Sequence, residues 1–230
     1  MQAHISQLFR FPTKGLAGKA EPTLTIDPLV GVVGDRQRAF AKKAGQPTAW
    51  APKGQFYVSM NTPHLAPLAH STPTADIPVT VGTEVHTHGA FNLTDTKGPT
   101  VTLLNLATVE RLQEWANADI DPRRFRMNLW VSGLEPFAEL AWVNRHPGNR
   151  RIHIGNQPFV VVDACERCKA IEANPSTGQR DILLLPMLEN FMEDNLPTYR
   201  SPHRQVRTVM GVILQPETKG VLRTQDILRA

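Results

Sequence analysis

Residues 157–168 read Gln157-Pro158-Phe159-Val160-Val161-Val162-Asp163-Ala164-Cys165-Glu166-Arg167-Cys168. The β-branched run Gln157 to Val162 is a strand signal, and it leads into two cysteines separated by two residues. Beyond Lys169 the chain breaks at Ala173-Asn174-Pro175-Ser176-Thr177-Gly178, a turn rather than a helix. Similar short apolar runs recur along the chain. His4 to Phe11, Leu24 to Ile26, Thr100 to Leu104, Phe125 to Val131, Ala138 to Val143, Val206 to Leu214 and Val221 to Leu228 all read as strands, and Gly31, Gly34 and Asp35 mark a turn before Ala39-Phe40-Ala41. Two helices stand out. One follows Asn105 as N-cap, with Val109, Leu112 and Trp115 in phase, and stops at Asp119 to Pro122. The other covers Ile182 to Glu193, with Leu184, Leu188 and Met192 on one face and Pro186 in the first turn. Residues 44–80 have weak periodicity and read as loops and short strands, and a break falls near 82–98, where Gly82, Gly89 and Gly98 cluster.

The 230 residues include 41% hydrophobic and 20% charged side chains, enough for a packed interior and against disorder. Nineteen prolines and fifteen glycines are scattered throughout, which suits many short elements joined by turns. The expected fold is therefore mainly β with a few short helices, α+β by content. The net charge of +4 is dispersed, without basic runs interleaved with aromatics, so nucleic acid is not the expected partner. The start has no apolar signal region and no run of about 18 apolar residues occurs, so no membrane segment is expected. With two cysteines only, a disulfide framework is excluded and a reducing compartment, the cytoplasm, is expected.

The cysteine pair admits several chemistries. A zinc site would need two further ligands, for which His153 and His203 are the candidates, although their spacing matches no familiar zinc pattern. A redox dithiol would sit before a helix, and a turn follows instead. Two inert buried thiols are the plain structural alternative. Arg167 and Lys169 flank Cys168, and neighbouring cations favour a thiolate, the form that binds thiophilic metals. Other cations stand beside turns: Lys14 in Phe11-Pro12-Thr13-Lys14-Gly15, Arg36 in Gly34-Asp35-Arg36, Lys97 after Thr94-Asp95-Thr96, and Arg126 in Phe125-Arg126-Met127-Asn128. Arg126 lies in an apolar run, where an unpaired charge is expensive, and strand alternation places Asn128 on its face. Each charge-assisted hydrogen bond to a phosphate is worth about 1.5–3 kcal/mol, so three converging cations would anchor one firmly. His86 and His88 are read as surface residues; His64, His70 and His146 form no usable pattern.

In order along the chain, these segments resemble the MOSC family with its N-terminal β-barrel segment, the group that includes the mitochondrial amidoxime-reducing component and bacterial relatives. Leu8-Phe9-Arg10-Phe11-Pro12-Thr13-Lys14-Gly15 is similar to the family's "L-x-x-Y-P-V-K-S". Gly34-Asp35-Arg36 is similar to its "D-R" turn, Thr94-Asp95-Thr96 to "S-D-T-S-P", Phe125-Arg126-Met127-Asn128 to "F-R-P-N", and Cys165 through Gly178 to "C-x-R-C … D-P-x-T-G". The resemblance implies a β-barrel with an N-terminal segment at 1–88 and a MOSC domain at 89–230. It implies a molybdenum–pterin cofactor with Cys168 as metal ligand and Cys165 as a bystander. Lys14, Gly15, Arg36, Arg126 and Asn128, with the Asp95–Thr96 turn, would hold phosphate and pterin, and Asp95 could orient a water or relay a proton. Gly15 replaces a serine and Met127 a proline, so one hydroxyl contact to the cofactor is lost or moves to the backbone. The activity implied is reduction of small N-hydroxylated or N-oxide substrates, with electrons from a separate protein because two cysteines cannot hold an iron–sulfur cluster. The alternatives are a module that carries cofactor or persulfide sulfur without turnover, and a redox dithiol without molybdenum.

Overall fold

The computed structural model describes residues 2–43, 45, 48, 51–77, 82–145, 150–201 and 205–230. His146 and His203 lie outside them. The described residues form fourteen strands and three α-helices. The strands are β1 (His4–Arg10), β2 (Lys19–Ala20), β3 (Thr23–Asp27), β4 (Gly31–Val32), β5 (Arg38–Ala41), β6 (Phe56–Tyr57), β7 (Thr83–His86), β8 (Val101–Asn105), β9 (Leu129–Ser132), β10 (Arg151–Ile154), β11 (Gln157–Glu166), β12 (Val209–Pro216), β13 (Gly220–Arg223) and β14 (Leu228–Arg229). The helices are α1 (Leu106–Ala116), α2 (Ala138–Arg145) and α3 (Leu184–Asn195). No described helix is long and apolar enough to cross a membrane.

Eight strands make one sheet in the order β14-β10-β11-β12-β8-β9-β1-β2. Neighbours are antiparallel except β8 and β9, which run parallel and are joined through α1, the crossover such a pair requires. The sheet curls until its two ends meet. Ile5 donates its amide to the Asp226 carbonyl at 2.9 Å and Leu228 donates to Ala3 at 2.9 Å, so the β14 end closes onto β1. The fold is thus mainly β and barrel-like. Two three-stranded sheets, β13-β3-β4 and β6-β5-β7, are attached to it.

The main core gathers Leu103, Leu129, Phe159, Leu188, Met192 and Leu214, all fully buried, from strands and helices alike. Small separate clusters hold the β6-β5-β7 region together. The α1 cap is as expected: the Asn105 side chain accepts from the Ala107 amide at 3.1 Å, and Asn117 ends the helix in the left-handed conformation. Leu184, Leu188 and Met192 are fully buried on one face of α3, with Pro186 in its first turn.

Three expected strands differ. Residues 125–131 are not continuous strand: Pro122–Phe125 is a 3-10 turn, Arg126 follows with φ +52°, and pairing begins at Leu129. Pro122 starts that turn and the Asp121 side chain caps it. Residues 138–143 are the start of α2; Ala-Glu-Leu-Ala are helix formers, and Leu140 and Val143 recur at helical spacing on the buried side. The run 221–228 splits into β13 and β14. In the 44–80 stretch the described residues hold only β6 and three short 3-10 turns; residues 44, 46, 47, 49, 50 and 78–80 lie outside the described set.

Candidate functional site: a cation cluster between three loops

Three loops are stitched together at one end of β1. The Lys14 amide donates to the Arg38 carbonyl at 2.8 Å, Arg36 to Phe11 at 2.6 Å, and Leu93 to Arg36 at 2.8 Å. These bonds bring the Phe11–Gly15 loop, the Gly34–Arg38 segment and the Leu93–Thr96 loop side by side. Residues 126–128 join through Asn128, whose carbonyl accepts from Phe9 at 2.7 Å.

On this scaffold Lys14, Arg36 and Arg126 converge with Asp35 and Asp95. Lys14 is buried, and its ammonium donates to the Leu93 carbonyl at 2.7 Å and pairs with Asp95. Arg36 pairs with Asp35 and donates to the Arg126 carbonyl at 3.1 Å. The Arg36 and Arg126 guanidinium carbons lie 4.8 and 4.7 Å from the centre of the Phe11 ring. Both residues are left-handed, with φ +47° and +52°. A non-glycine residue held there costs about 1–3 kcal/mol and persists only where its surroundings enforce it.

The electrostatics match the crowding. Burial, then the neighbouring Arg36, lowers the Arg126 guanidinium to about 9, against the pull of Asp35 and Asp95. Burial also depresses Lys14; Asp95 opposes this, while Arg36 and Arg126 push it further down. Burial alone would raise the Asp95 carboxyl, but Lys14, Lys53 and Arg36 hold it below the usual range. Three cations face two carboxylates, and the Arg126 guanidinium has no hydrogen-bond acceptor among the described residues. With Lys53 and Arg167 also acting on Asp95 and Arg126, cations outnumber the two carboxylates in the cluster. An open cleft lined by Phe9, Phe11, Met127, Trp130 and Ala170 runs alongside Arg126.

Asn128 is placed differently from the sequence expectation. It is buried, and its amide bridges the Phe9 carbonyl at 3.1 Å and Asp35 at 3.3 Å while its Oδ1 accepts from the Thr102 hydroxyl at 2.9 Å. Because Arg126 ends a 3-10 turn, the strand alternation expected to put Arg126 and Asn128 on one face does not operate. Asn128 and Asp35 form the frame behind the cations, a role sequence reasoning missed. The Asp–Arg spacing at 35–36 was a signal for it, but the partner is 93 residues away. Thr96 is half-buried, and its carbonyl accepts from the Thr94 hydroxyl at 3.0 Å.

Gly15 has φ +92°, and a Cβ there would stand 3.0 Å from Val58 Cα. The serine of the family pattern does not fit this backbone. Gly15→Ser should cost about 1–3 kcal/mol in urea unfolding; a variant as stable as the parent would show the loop adapts freely.

The cysteines separate. Cys165 is buried and accepts from Arg167 Nη1 at 2.9 Å. Arg167 lies just past β11, which ends at Glu166 after an irregularity in its register, so the contact is set by the turn of the chain there and not by strand alternation. The cation expected beside Cys168 is therefore turned to Cys165, and Lys169 is exposed. Cys168 is half-buried and precedes the 3-10 turn Lys169–Glu172, in which Ala170 lines the cleft with Arg126. No group of three or more His, Cys, Asp or Glu residues that could hold a metal occurs among the described residues, so the zinc set built on His153 is not assembled there. The rings of His86 and His88 stack at 5.8 Å, and both residues are exposed.

The MOSC domain family model matches residues 93–229. The chain belongs to the MOSC domain family. Within the matched segment lie Arg126 and Cys168; Lys14 and Arg36 precede it, though β1 hydrogen-bonds into the same sheet. Molybdenum cofactor sulfurase of Caenorhabditis elegans is 34% identical over 115 residues, 49% of this MOSC chain and 15% of the relative. The protein of the same name from Solanum lycopersicum is 41% identical over 106 residues, 46% of this chain and 11% of the relative. The chain thus spans about 15% or less of the length of these curated relatives. The YUAD protein from Bacillus subtilis has a crystal structure that aligns with 99% of this chain and 94% of its own at 16% identity, with a TM-score of 0.45.

Proposed function

We propose that this MOSC protein binds a phosphorylated molybdenum–pterin cofactor and uses it to reduce small N-hydroxylated or N-oxide substrates. The observation that carries the reading is the convergence of Lys14, Arg36 and Arg126, with no hydrogen-bond acceptor for the Arg126 guanidinium among the described residues. The cluster fits the terminal phosphate: an oxyanion there would take charge-assisted bonds from the Arg126 guanidinium that no described residue accepts. The name of the curated relatives, molybdenum cofactor sulfurase, supports the choice of cofactor.

In this reading Lys14, Arg36 and Arg126 bind the phosphate, the cleft walls exclude water from the pterin, and Cys168 ligates the metal. The bound molybdenum supplies two-electron oxygen-atom chemistry. Asp95, kept ionised beside Lys14 and with its side chain 54% exposed, is available to orient a water. Electrons come from a separate protein. The relatives' name also favours a second reading, in which the domain holds cofactor for sulfur handling without turnover.

Expression in a cofactor-competent host tests both. Purified protein should carry molybdenum and pterin approaching one per chain, lost in Cys168→Ala and in Arg126→Met and reduced far less in Cys165→Ala. Folded parent protein without metal or pterin would overturn the proposal. Loaded protein that fails to reduce an aromatic amidoxime with an artificial donor would leave the carrier reading.

A further inference from the structure

Arg167 stands between the two cysteines, just past the end of β11, and reaches across to the turn that precedes β9. Its Nη2 donates to the Phe125 carbonyl at 2.7 Å, its Nη1 to Cys165 Sγ at 2.9 Å and to Met127 Sδ at 3.5 Å. Its backbone amide is tied to the Thr208 carbonyl of the neighbouring segment at 2.7 Å. The residue it reaches for is the one before Arg126. On the other side, Arg36 grips the Arg126 carbonyl. Two successive carbonyls are thus held from two directions, one by each guanidinium, across the left-handed turn that aims Arg126 at the cluster.

We propose that Arg167 is a positioning residue: its two-pronged guanidinium locks the left-handed Arg126 turn to the end of β11, fixing the anion anchor and the Cys168 segment in one frame. This rests on the anion site of the preceding proposal and deepens it. Geometry, not charge, gives Arg167 this role. A left-handed arginine relaxes unless its neighbours hold it, and Asn128 clamps only the far side of the turn. A planar fork can serve the Phe125 oxygen and the Cys165 sulfur at once; an ammonium on a flexible stem cannot reproduce that pair. As a cation near Arg126, Arg167 also depresses it, so charge alone and positioning make different predictions for a lysine at this place.

The test is titration of the full-length protein with inorganic phosphate, well below the unfolding temperature, for the parent, Arg167→Lys, Arg167→Met and Arg126→Met. Positioning predicts that Arg167→Lys and Arg167→Met both weaken phosphate binding by about tenfold, with Arg126→Met weaker still. Amide exchange should quicken in residues 124–129 and stay unchanged in β12. A role in general stability would instead lower the melting temperature, speed exchange throughout and leave phosphate affinity of the folded protein intact; that result overturns the proposal. So does an Arg167→Lys variant that binds like the parent, which leaves the anion site standing. If the parent binds phosphate no better than Arg126→Met, the anion site is absent and both proposals fall. Should the Arg167 variants not fold, Cys165→Ala removes one prong alone, and quicker exchange confined to 124–129 is then the expected outcome; unchanged exchange there counts against the lock.

Discussion

Asp35→Ala should lower stability by about 3–5 kcal/mol, the cost of stripping one partner from a buried charge pair. Asp35 is 1% exposed, and one carboxylate does three jobs. Its Oδ1 accepts the Phe11 amide at 2.6 Å and the Asn128 amide at 3.3 Å, and its other oxygen pairs with Arg36. Removal leaves the Phe11 N–H buried without an acceptor and Arg36 and Arg126 facing each other with only Asp95 to balance them. For a chain of this length the loss corresponds to a fall in melting temperature of roughly 10 °C. Asp35→Asn should fall less, because an amide oxygen can still take the Phe11 N–H. It should also be stabilised more than the parent by added phosphate, since the cations have lost a resident anion. Calorimetry of the three proteins with and without phosphate checks both statements. Asp35→Asn that gains no more from phosphate than the parent would mean that the cations do not share one anion site.

The elements readable from sequence are those whose cause is local. Asn105 caps α1 through an oxygen two residues away, and Leu184, Leu188 and Met192 mark α3 by their spacing. The strand from Gln157 shows in its β-branched run. The segments that differ are those where a short apolar stretch carries two meanings. Ala138 to Val143 is too brief to separate a strand from a helix by hydrophobicity, and its Ala, Glu and Leu content decides for the helix. Phe125-Arg126-Met127-Asn128 looks like strand because Phe and Met are apolar, yet the capped turn at Asp121-Pro122 sets the backbone upstream. The candidate cations could be named one by one, since each stands beside a turn or in an apolar run. Their meeting could not be read, because it depends on backbone bonds between residues 14 and 38 and between 36 and 93. Arg167 is the instructive case: adjacency in sequence assigned its charge to Cys168, whereas the chain just past the end of β11 turns its guanidinium to Cys165.

Glu139 supplies the second large effect, away from the cation cluster. It is fully buried in the first turn of α2, where Asn105 Nδ2 and the Thr108 hydroxyl donate to it at 2.7 and 3.0 Å. Burial outweighs both bonds and pushes its carboxyl from the ordinary 4.5 to about 7. The Tyr199 hydroxyl is buried nearby with no hydrogen-bond partner among the described residues; burial raises it, and the charges of Asp163 and Glu139 raise it further. Because the folded state prefers the protonated acid, the stabilisation is complete below about pH 4.5 and is lost as pH climbs through about 7. The full span is on the order of 3 kcal/mol. The parent should therefore lose stability between pH 5 and pH 8 by more than Glu139→Gln does, because the amide cannot ionise. At pH 8 the glutamine variant should be at least as stable as the parent, and at pH 5 somewhat less, since its second N–H lacks an acceptor among these partners. Urea unfolding of both proteins at pH 5, 6.5 and 8 reads the difference directly. Parallel stability curves would mean that Glu139 keeps one protonation state across this range, and that Asn105 and Thr108 offset the burial they are here taken to lose against.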